Sequence, residues 1–348
     1  MKFVAFPKQP APYCVCLYQA LEADGATVLD GQWNFAWLRQ HVARGDVVHL
    51  NWPSFLYSGG RRGIGVARRF AKFLLLMAWL RLRGARLWWT AHNLLPHERH
   101  RWPVLDVVAR RVTIACAEHV FVHGEHARQV LVEAFPSAAR KSRLISHGNW
   151  IAHYARAPER AAARRQLGLP EQAFVYLFLG QCRPYKNLGA LVRAFSRLPG
   201  EHLRLVVAGT FSDAAYRQEI EALAAADPRV LLQPRYVDDA ELPVFMGACD
   251  VMCLPYREIL TSGSAMLALS FGRPVISIDR GFLRDVITDG AGLLIPAGDE
   301  AALQSALQDA QRAAWNEAHI VAQAQSHTFE GAARVLLRTA VQRAEVAL

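Results

Sequence analysis

From residue 170 onward the hydrophobic positions fall into short unbroken runs separated by amphipathic stretches. The runs are Phe174–Leu179, 203–209, Val230–Gln233, 251–255 and 274–278. Continuous apolar runs of this length, rather than alternating ones, mark parallel strands buried on both faces of a doubly wound sheet. Between them, 188–198, 216–226, 239–248 and 263–271 carry a helical period. The first half repeats the rhythm less cleanly, with strands expected at Lys2–Phe6, 26–29, 47–51, 87–90, 120–122 and 143–146. Helices fit at 13–23, 33–44, 64–83, 103–116 and 125–134. The expected organisation is α/β, with two Rossmann-like domains over 1–150 and 151–330 and the boundary in the Ala- and Arg-rich stretch 149–170. The tail from 301 is helical in composition, and 331–348 is expected as a helix that crosses back to the first domain. Ligands of open α/β sheets bind beyond the carboxyl ends of the strands. Two such sheets facing across a cleft would therefore enclose a site between them.

With 348 residues, 52% of them hydrophobic, the chain can fill two cores of ordinary size. Its net charge of +10 is unevenly placed: residues 1–150 carry 20 Lys and Arg against nine Asp and Glu, whereas 151–348 are close to neutral. A basic first half suits nucleic acid, an anionic membrane surface or a phosphorylated substrate. The longest apolar run, 73–80, is eight residues, against roughly 20 needed to span a bilayer. Met1 and Lys2 lead straight into a strand-like segment, so neither a signal peptide nor a transmembrane helix is expected. The six cysteines, at 14, 16, 116, 182, 249 and 253, show no paired metal or disulfide spacing and read as small buried residues.

Two segments carry chemistry. After the 251–255 strand, a loop with Thr261, Ser262, Gly263 and Ser264 leads into an apolar helix, so hydroxyls and backbone N–H groups converge on whatever anion sits at the helix N-terminus. Ser262 to Ser264 also serve as an ordinary helix cap. About seventy residues earlier, Gly-Gln-Cys-Arg-Pro-Tyr-Lys-Asn at 180–187 also follows a strand and precedes a helix, and its cations are Arg183 and Lys186. Two cations and one helix N-terminus at strand carboxyl ends describe a pyrophosphate cradle. Tyr236 and Tyr256 lie at strand ends, where a base could stack or a ring could simply pack.

The order of Gly180-x-x-Arg-Pro-Tyr-Lys-Asn, Val207-Ala-Gly209, Asp250 before a strand, Pro255-Tyr with Ser262-Gly263, and Phe271-Gly-Arg-Pro-Val-Ile276 resembles the GT-B glycosyltransferases. In the first half, Asp46-Val-Val-His-Leu-Asn-Trp-Pro53, Thr90-Ala-His-Asn-Leu-Leu-Pro-His-Glu98 and Ser146-His-Gly148 fit the same group. Within it, the basic first half and the pairing of motifs look most like bacterial β-mannosyltransferases of exopolysaccharide assembly, of the xanthan type. That resemblance implies a GDP-mannose donor, and the visible motifs require no metal or other cofactor. The resemblance further implies a polyprenyl-diphosphate-linked oligosaccharide as acceptor, transfer with inversion, and a peripheral enzyme on the cytoplasmic face of the inner membrane. Two departures stand out. The glutamate pair that many relatives place around the phosphate loop is replaced by Ile259 and Leu267, with Glu258 nearby, and the arginine that usually follows the glycine is Gln181. The ribose contact is therefore unassigned.

An inverting transfer needs a group to deprotonate the acceptor hydroxyl. Glu98, in a His-rich loop, is the leading candidate, with Asp30, His97 and His92 as rivals. The histidines lack the paired helix spacing of a metal site. The stretch 61–89 interleaves Arg61, Arg62, Arg68, Arg69 and Lys72 with apolar residues and with Trp79, Trp88 and Trp89. It suits either a helix lying on anionic lipid or a buried core helix. The competing readings are a retaining transferase of the same fold, a sugar-nucleotide epimerase, and a basic nucleic-acid binder. The last of these lacks any recognised binding motif and leaves the second half unexplained.

Overall fold

A computed structural model of the chain describes residues 1–58, 63–96, 102–288 and 290–342. The chain divides into two compact units, the first comprising Met1–Gly148 with Thr328–Leu348 and the second Asn149–His327.

The first unit is built on a parallel six-stranded sheet of β1 (Lys2–Phe6), β2 (Thr27–Asp30), β3 (Val47–Leu50), β4 (Arg86–Thr90), β5 (His119–Val122) and β6 (Ser142–Leu144). Its spatial order is β2-β1-β3-β4-β5-β6. The strand interiors are unbroken apolar runs because both faces are covered: Phe3, Val4, Val47, Val48, Val120 and Phe121 are fully buried. Helix Phe329–Val341 packs on helix Pro12–Ala23 of the same unit. Its N-terminus is capped by Thr328, which accepts from Gly331 N at 2.9 Å, and its C-terminal carbonyls of Ala340 and Thr339 accept from Arg86 at 2.7 and 3.3 Å.

The second unit carries β7 (Phe174–Leu179), β8 (Leu203–Ala208), β9 (Val230–Gln233), β10 (Val251–Leu254), β11 (Val275–Ile278) and β12 (Gly292–Ile295), again all parallel, in the order β12-β11-β10-β7-β8-β9. Every strand expected from the apolar runs is present, within one or two residues of its expected ends at most positions. β12 was not expected. It is an edge strand that starts on a glycine, and only Ile295 of its four residues is buried, so it lacks the apolar run that betrays the interior strands.

In both sheets the order of strands reverses beside the first strand of the unit, between β1 and β3 and between β7 and β10. Such a reversal leaves a crevice at the carboxyl ends, because the connections on its two sides leave in opposite directions.

The basic helix Gly63–Arg83 has 21 residues. Phe73, Leu76, Met77 and Leu80 are turned into the first unit, while Ile64, Leu75 and Leu82 are 71, 70 and 88% exposed. Residues 64, 75 and 82 fall within about 20° of one line along an α-helix, and Arg68 and Lys72 flank that line on one side. No described helix is long and apolar enough to cross a membrane.

Candidate functional site

The crevice of the second unit lies between the loops that follow β7 and β10. Leu179 ends β7, and Gly180 turns at φ +130°, where a side chain would be strained and a Cβ would stand 3.3 Å from Lys186 Nζ and 3.7 Å from Ser264 Oγ. Glycine here therefore takes the left-handed turn without strain and leaves room for the Lys186 ammonium against the chain. A single turn of 3-10 helix, Pro184–Lys186, then folds Lys186 back over the strand end, and Asn187 leaves it in the left-handed region at φ 60° before helix Leu188–Ser196 begins. From the other side, Arg257 N donates to Tyr185 O at 2.8 Å and ties the two loops together.

Lys186 is only 8% exposed and stands over the rings of Phe178 and Tyr256, at 5.5 and 5.8 Å from their centroids. Burial lowers its pKa from the usual lysine range to about 8, only partly offset by Cys182 and assisted by the neighbouring Arg183. A buried cation with another cation beside it is an incomplete arrangement that an anion would complete. The second loop supplies neutral donors. Ser262 caps helix Gly263–Ser270, accepting from Ala265 N at 3.2 Å, and stands 3.3 Å from the Tyr256 hydroxyl. Thr261 Oγ1 is buried and has no hydrogen-bond partner among the described residues, an exception to the rule that such groups are satisfied. The structure thus gathers Arg183, Lys186, Thr261, Ser262, Gly263 and Ser264 around one strand-end crevice.

The two tyrosines separate. Tyr256 is 2% exposed, and burial pushes its phenol up to about 12. Its ring is the floor under Lys186, so of the two readings the packed one holds for Tyr256, which at this burial has no face open to a base. Tyr236, in the loop after edge strand β9, is 66% exposed and keeps an open ring face. Ile259 and Leu267 are buried apolar side chains and Glu258 is exposed, so no carboxylate occupies either glutamate position.

In the first unit, the strand ends carry a cluster of which the sequence showed His49, His92 and His147 in separate motifs and gave no sign of His123. His49 lies in β3, and His92, His123 and His147 follow β4, β5 and β6 by one to three residues. The ring of Tyr13 sits among the last three, with centroids at 4.6, 5.3 and 5.1 Å. A hydrogen-bond chain crosses the cluster: Thr90 Oγ1 to His49 Nε2 at 2.8 Å, His49 Nδ1 to Tyr18 OH at 3.0 Å, Asn51 Nδ2 to the same hydroxyl at 2.8 Å, and Asn51 Oδ1 to His92 Nε2 at 3.0 Å. Trp52 stacks on His92 with centroids 4.4 Å apart and planes 20° from parallel. Burial pushes His49 down to about 3, and burial, then His123 and His147, hold His92 well below the ordinary histidine range. Both are neutral near pH 7. Among the described residues no group of three or more His, Cys, Asp or Glu could hold a metal ion.

The candidate bases fall in different places. His92 belongs to this cluster. Asp30 ends edge strand β2, is exposed, and accepts Lys8 N–H at 2.9 Å. Glu98 and His97 lie outside the described residues, as do Arg61 and Arg62. Arg68, Arg69 and Lys72 are exposed on the basic helix, and Trp79 is half-buried against Phe35 with ring centroids 5.1 Å apart. Trp88 and Trp89 do not share that surface. They are fully buried in β4, Trp88 between Phe3 and Phe121 with its Nε1 3.3 Å from Glu118, and Trp89 under the Arg110 guanidinium at 4.1 Å. Their assignment to a membrane or acceptor face is therefore corrected, because an interior strand of a covered sheet has no outer face.

Residues 173–312 match the family described as glycosyl transferases group 1. Over 308 residues the chain is 29% identical to the GDP-mannose:glycolipid 4-beta-D-mannosyltransferase of Xanthomonas campestris pv. campestris, covering 87% of this chain and 80% of that protein. Among solved structures, sucrose-phosphate synthase from Thermosynechococcus elongatus superposes with a TM-score of 0.75 at 19% identity, covering 100% of this chain and 99% of the other. The Anabaena protein HepE in complex with UDP and glucose superposes with a TM-score of 0.68 at 21% identity, covering all of both chains.

Proposed function

Since the chain is a glycosyltransferase with the GT-B fold of the group 1 glycosyl transferases, we propose that it moves mannose from GDP-mannose to a glycolipid. The proposed acceptor is a hydroxyl of a polyprenyl-diphosphate-linked oligosaccharide in exopolysaccharide assembly, at the cytoplasmic face of the inner membrane. The observation that carries this reading is the buried, electrically incomplete Lys186 between two loops of hydroxyls and N–H donors. The name of the Xanthomonas relative supports the choice of sugar and of a glycolipid.

Departure of the nucleoside diphosphate puts negative charge on its β-phosphate. Groups already in place around that oxygen stabilise the charge as it grows, which lowers the barrier rather than merely tightening binding. Lys186 supplies a point charge, Arg183 a planar fork, and Thr261, Ser262 and Ser264 hydroxyl or backbone donors. The open face of Tyr236 is the proposed platform for the base. In the first unit the acceptor hydroxyl loses its proton to a base, for which Glu98 leads and Asp30, His97 and His92 stand behind it. Neutral His92, held by Asn51, is able to accept a hydrogen bond from a sugar hydroxyl. Transfer from an α-linked donor by one in-line displacement gives a β-mannoside.

The helix Gly63–Arg83 is the proposed membrane-facing element, on the strength of its exposed apolar line with Arg68 and Lys72 beside it. An amphipathic helix of this kind lies in the interface, with each nearby cation adding about 1 kcal/mol on anionic lipid.

Melting shifts with a panel of nucleoside diphosphates test the donor. GDP should stabilise the protein, by about 2.7 kcal/mol at 100 times its dissociation constant, and UDP or ADP should do so less. NMR of the product tests the stereochemistry. An α-linkage would replace this mechanism with a retaining one, and stabilisation by UDP alone would remove GDP-mannose.

A further inference from the structure

At the C-terminal end of helix Gly63–Arg83, where β5 and β6 begin, the first unit holds a pocket of about 520 Å³ lined by Arg81, Glu118, His119, Lys141, Arg143 and Thr339. This is the end of the sheet opposite the strand carboxyl ends, away from the histidine cluster. Its charge is one-sided. Glu118 is engaged by Arg86, at 2.8 and 3.4 Å, and by Trp88 Nε1. Among the described residues no carboxylate lies within ion-pair distance of Arg81, Lys141 or Arg143. Lys141 Nζ donates to the Ile114 and Ala115 carbonyls at 2.8 Å each, which fits a cation at the end of helix Pro103–Cys116. That explanation does not extend to Arg143, which sits on a strand and reaches only the carbonyls of Arg140 and its neighbour Ser142. Partial burial lowers the Lys141 pKa, and Arg81 lowers it further. Arg81 and Lys141 therefore repel one another beside a recess with room for a ligand.

We propose that this pocket is an anion site for a phosphate group, with Arg81 and Arg143 as the ligating forks and Lys141 as the fixed charge behind them. Guanidinium groups match phosphate oxygens two at a time, and a phosphate would relieve the repulsion that the pocket now carries. The phosphate belongs to a lipid head group. Arg81 lies in the last turn of the helix whose outer line is Ile64, Leu75 and Leu82, so a helix resting on lipid brings the pocket to head-group depth. The head-group assignment rests on the membrane reading above; the phosphate site itself does not.

Two titrations separate these statements. The ring resonances of His119, in the pocket wall, should shift saturably when glycerol 1-phosphate or inorganic phosphate is added to the intact protein. Arg81→Gln with Arg143→Gln should weaken that binding at least about tenfold while leaving the effect of GDP on melting unchanged. The same variant should lose at least about tenfold in affinity for phosphatidylcholine vesicles containing phosphatidylglycerol, and glycerol 1-phosphate should compete with those vesicles. A saturable phosphate titration with unaltered vesicle binding would keep the site and assign it to a soluble phosphate. No saturable shift, or the same titration in the variant, overturns the proposal. Leu75→Gln with Leu82→Gln tests the membrane reading separately, since it should release the vesicles without touching the phosphate titration.

Discussion

The side-chain oxygen of Asn51 lies 3.0 Å from Nε2 of His92, and that contact determines which ring nitrogen of His92 carries its proton. An amide oxygen only accepts, so Nε2 must donate and Nδ1 is left with its lone pair. The same amide donates to Tyr18, whose hydroxyl then donates to His49 Nδ1, and His49 Nε2 donates to Thr90. With the Asn51 amide in this orientation every proton in the chain has one place to be.

Asn51→Asp should therefore change chemistry more than shape. A carboxylate still accepts from Nε2 but favours the imidazolium, raising the His92 pKa from its depressed value. If neutral His92 meets the acceptor, the acid limb of the kcat profile should move to higher pH by about one unit or more, with the donor KM little altered. An unchanged profile would show that the protonation state of His92 does not enter the reaction.

Arg183→Ala and Lys186→Ala should each lower turnover by roughly a hundredfold or more while the fold survives, since each removes a fixed cation from the departing diphosphate. Lys186 adds a pH signature. Its pKa near 8 in the free protein must rise when a diphosphate binds beside it. Binding above pH 8 therefore takes up a proton, and affinity falls as pH rises through that range. Calorimetry of GDP binding at pH 8.5 in buffers of different ionisation enthalpy measures the uptake, and Lys186→Met should abolish it. Uptake that persists in the variant would place the proton elsewhere.

Acid should weaken the first unit through His49 and His92. Both pKa values are depressed in the folded state, so between the unfolded value near 6.5 and the folded value of about 3 for His49 the unfolded chain binds the additional protons. Stability is then fully present above pH 6.5 and declines as pH falls below it, by up to about 2.7 kcal/mol per pH unit for two groups. Urea unfolding followed by tryptophan fluorescence at pH 7 and 5 measures the decline, and His49→Gln should remove about half of it. A stability that does not change across that interval would mean that these rings find protonated partners.

Vesicle binding should increase with anionic lipid and fall with salt, because exposed charges are screened over about 10 Å at 0.1 M. Replacing Arg68, Arg69 and Lys72 by glutamine should release the protein without weakening GDP, whose proposed contacts lie in the other unit. Equal binding to neutral and anionic vesicles, or none to either, would assign the positive charge of residues 1–150 to a soluble partner.

The sequence by itself determined the strands, the fold class and the two phosphate-loop motifs. Parallel strands covered on both faces must be continuous apolar runs, so β7 could be read residue for residue as Phe174–Leu179, whereas half-exposed edge strand β12 could not. Only the tertiary structure decided what those elements bring together. Lys186 and Ser262 are 76 positions apart in the chain, and they meet because the sheet order sets β10 against β7, a pairing no local pattern encodes. Four histidines far apart in the chain converge because parallel strands end on one edge of a sheet, each delivering its own. The tryptophans show the opposite failure of local reading. Trp88 and Trp89 follow a basic amphipathic helix and look continuous with its surface, yet one turn after the helix the chain enters the middle of the sheet, where burial is set by neighbours contributed from elsewhere in the chain.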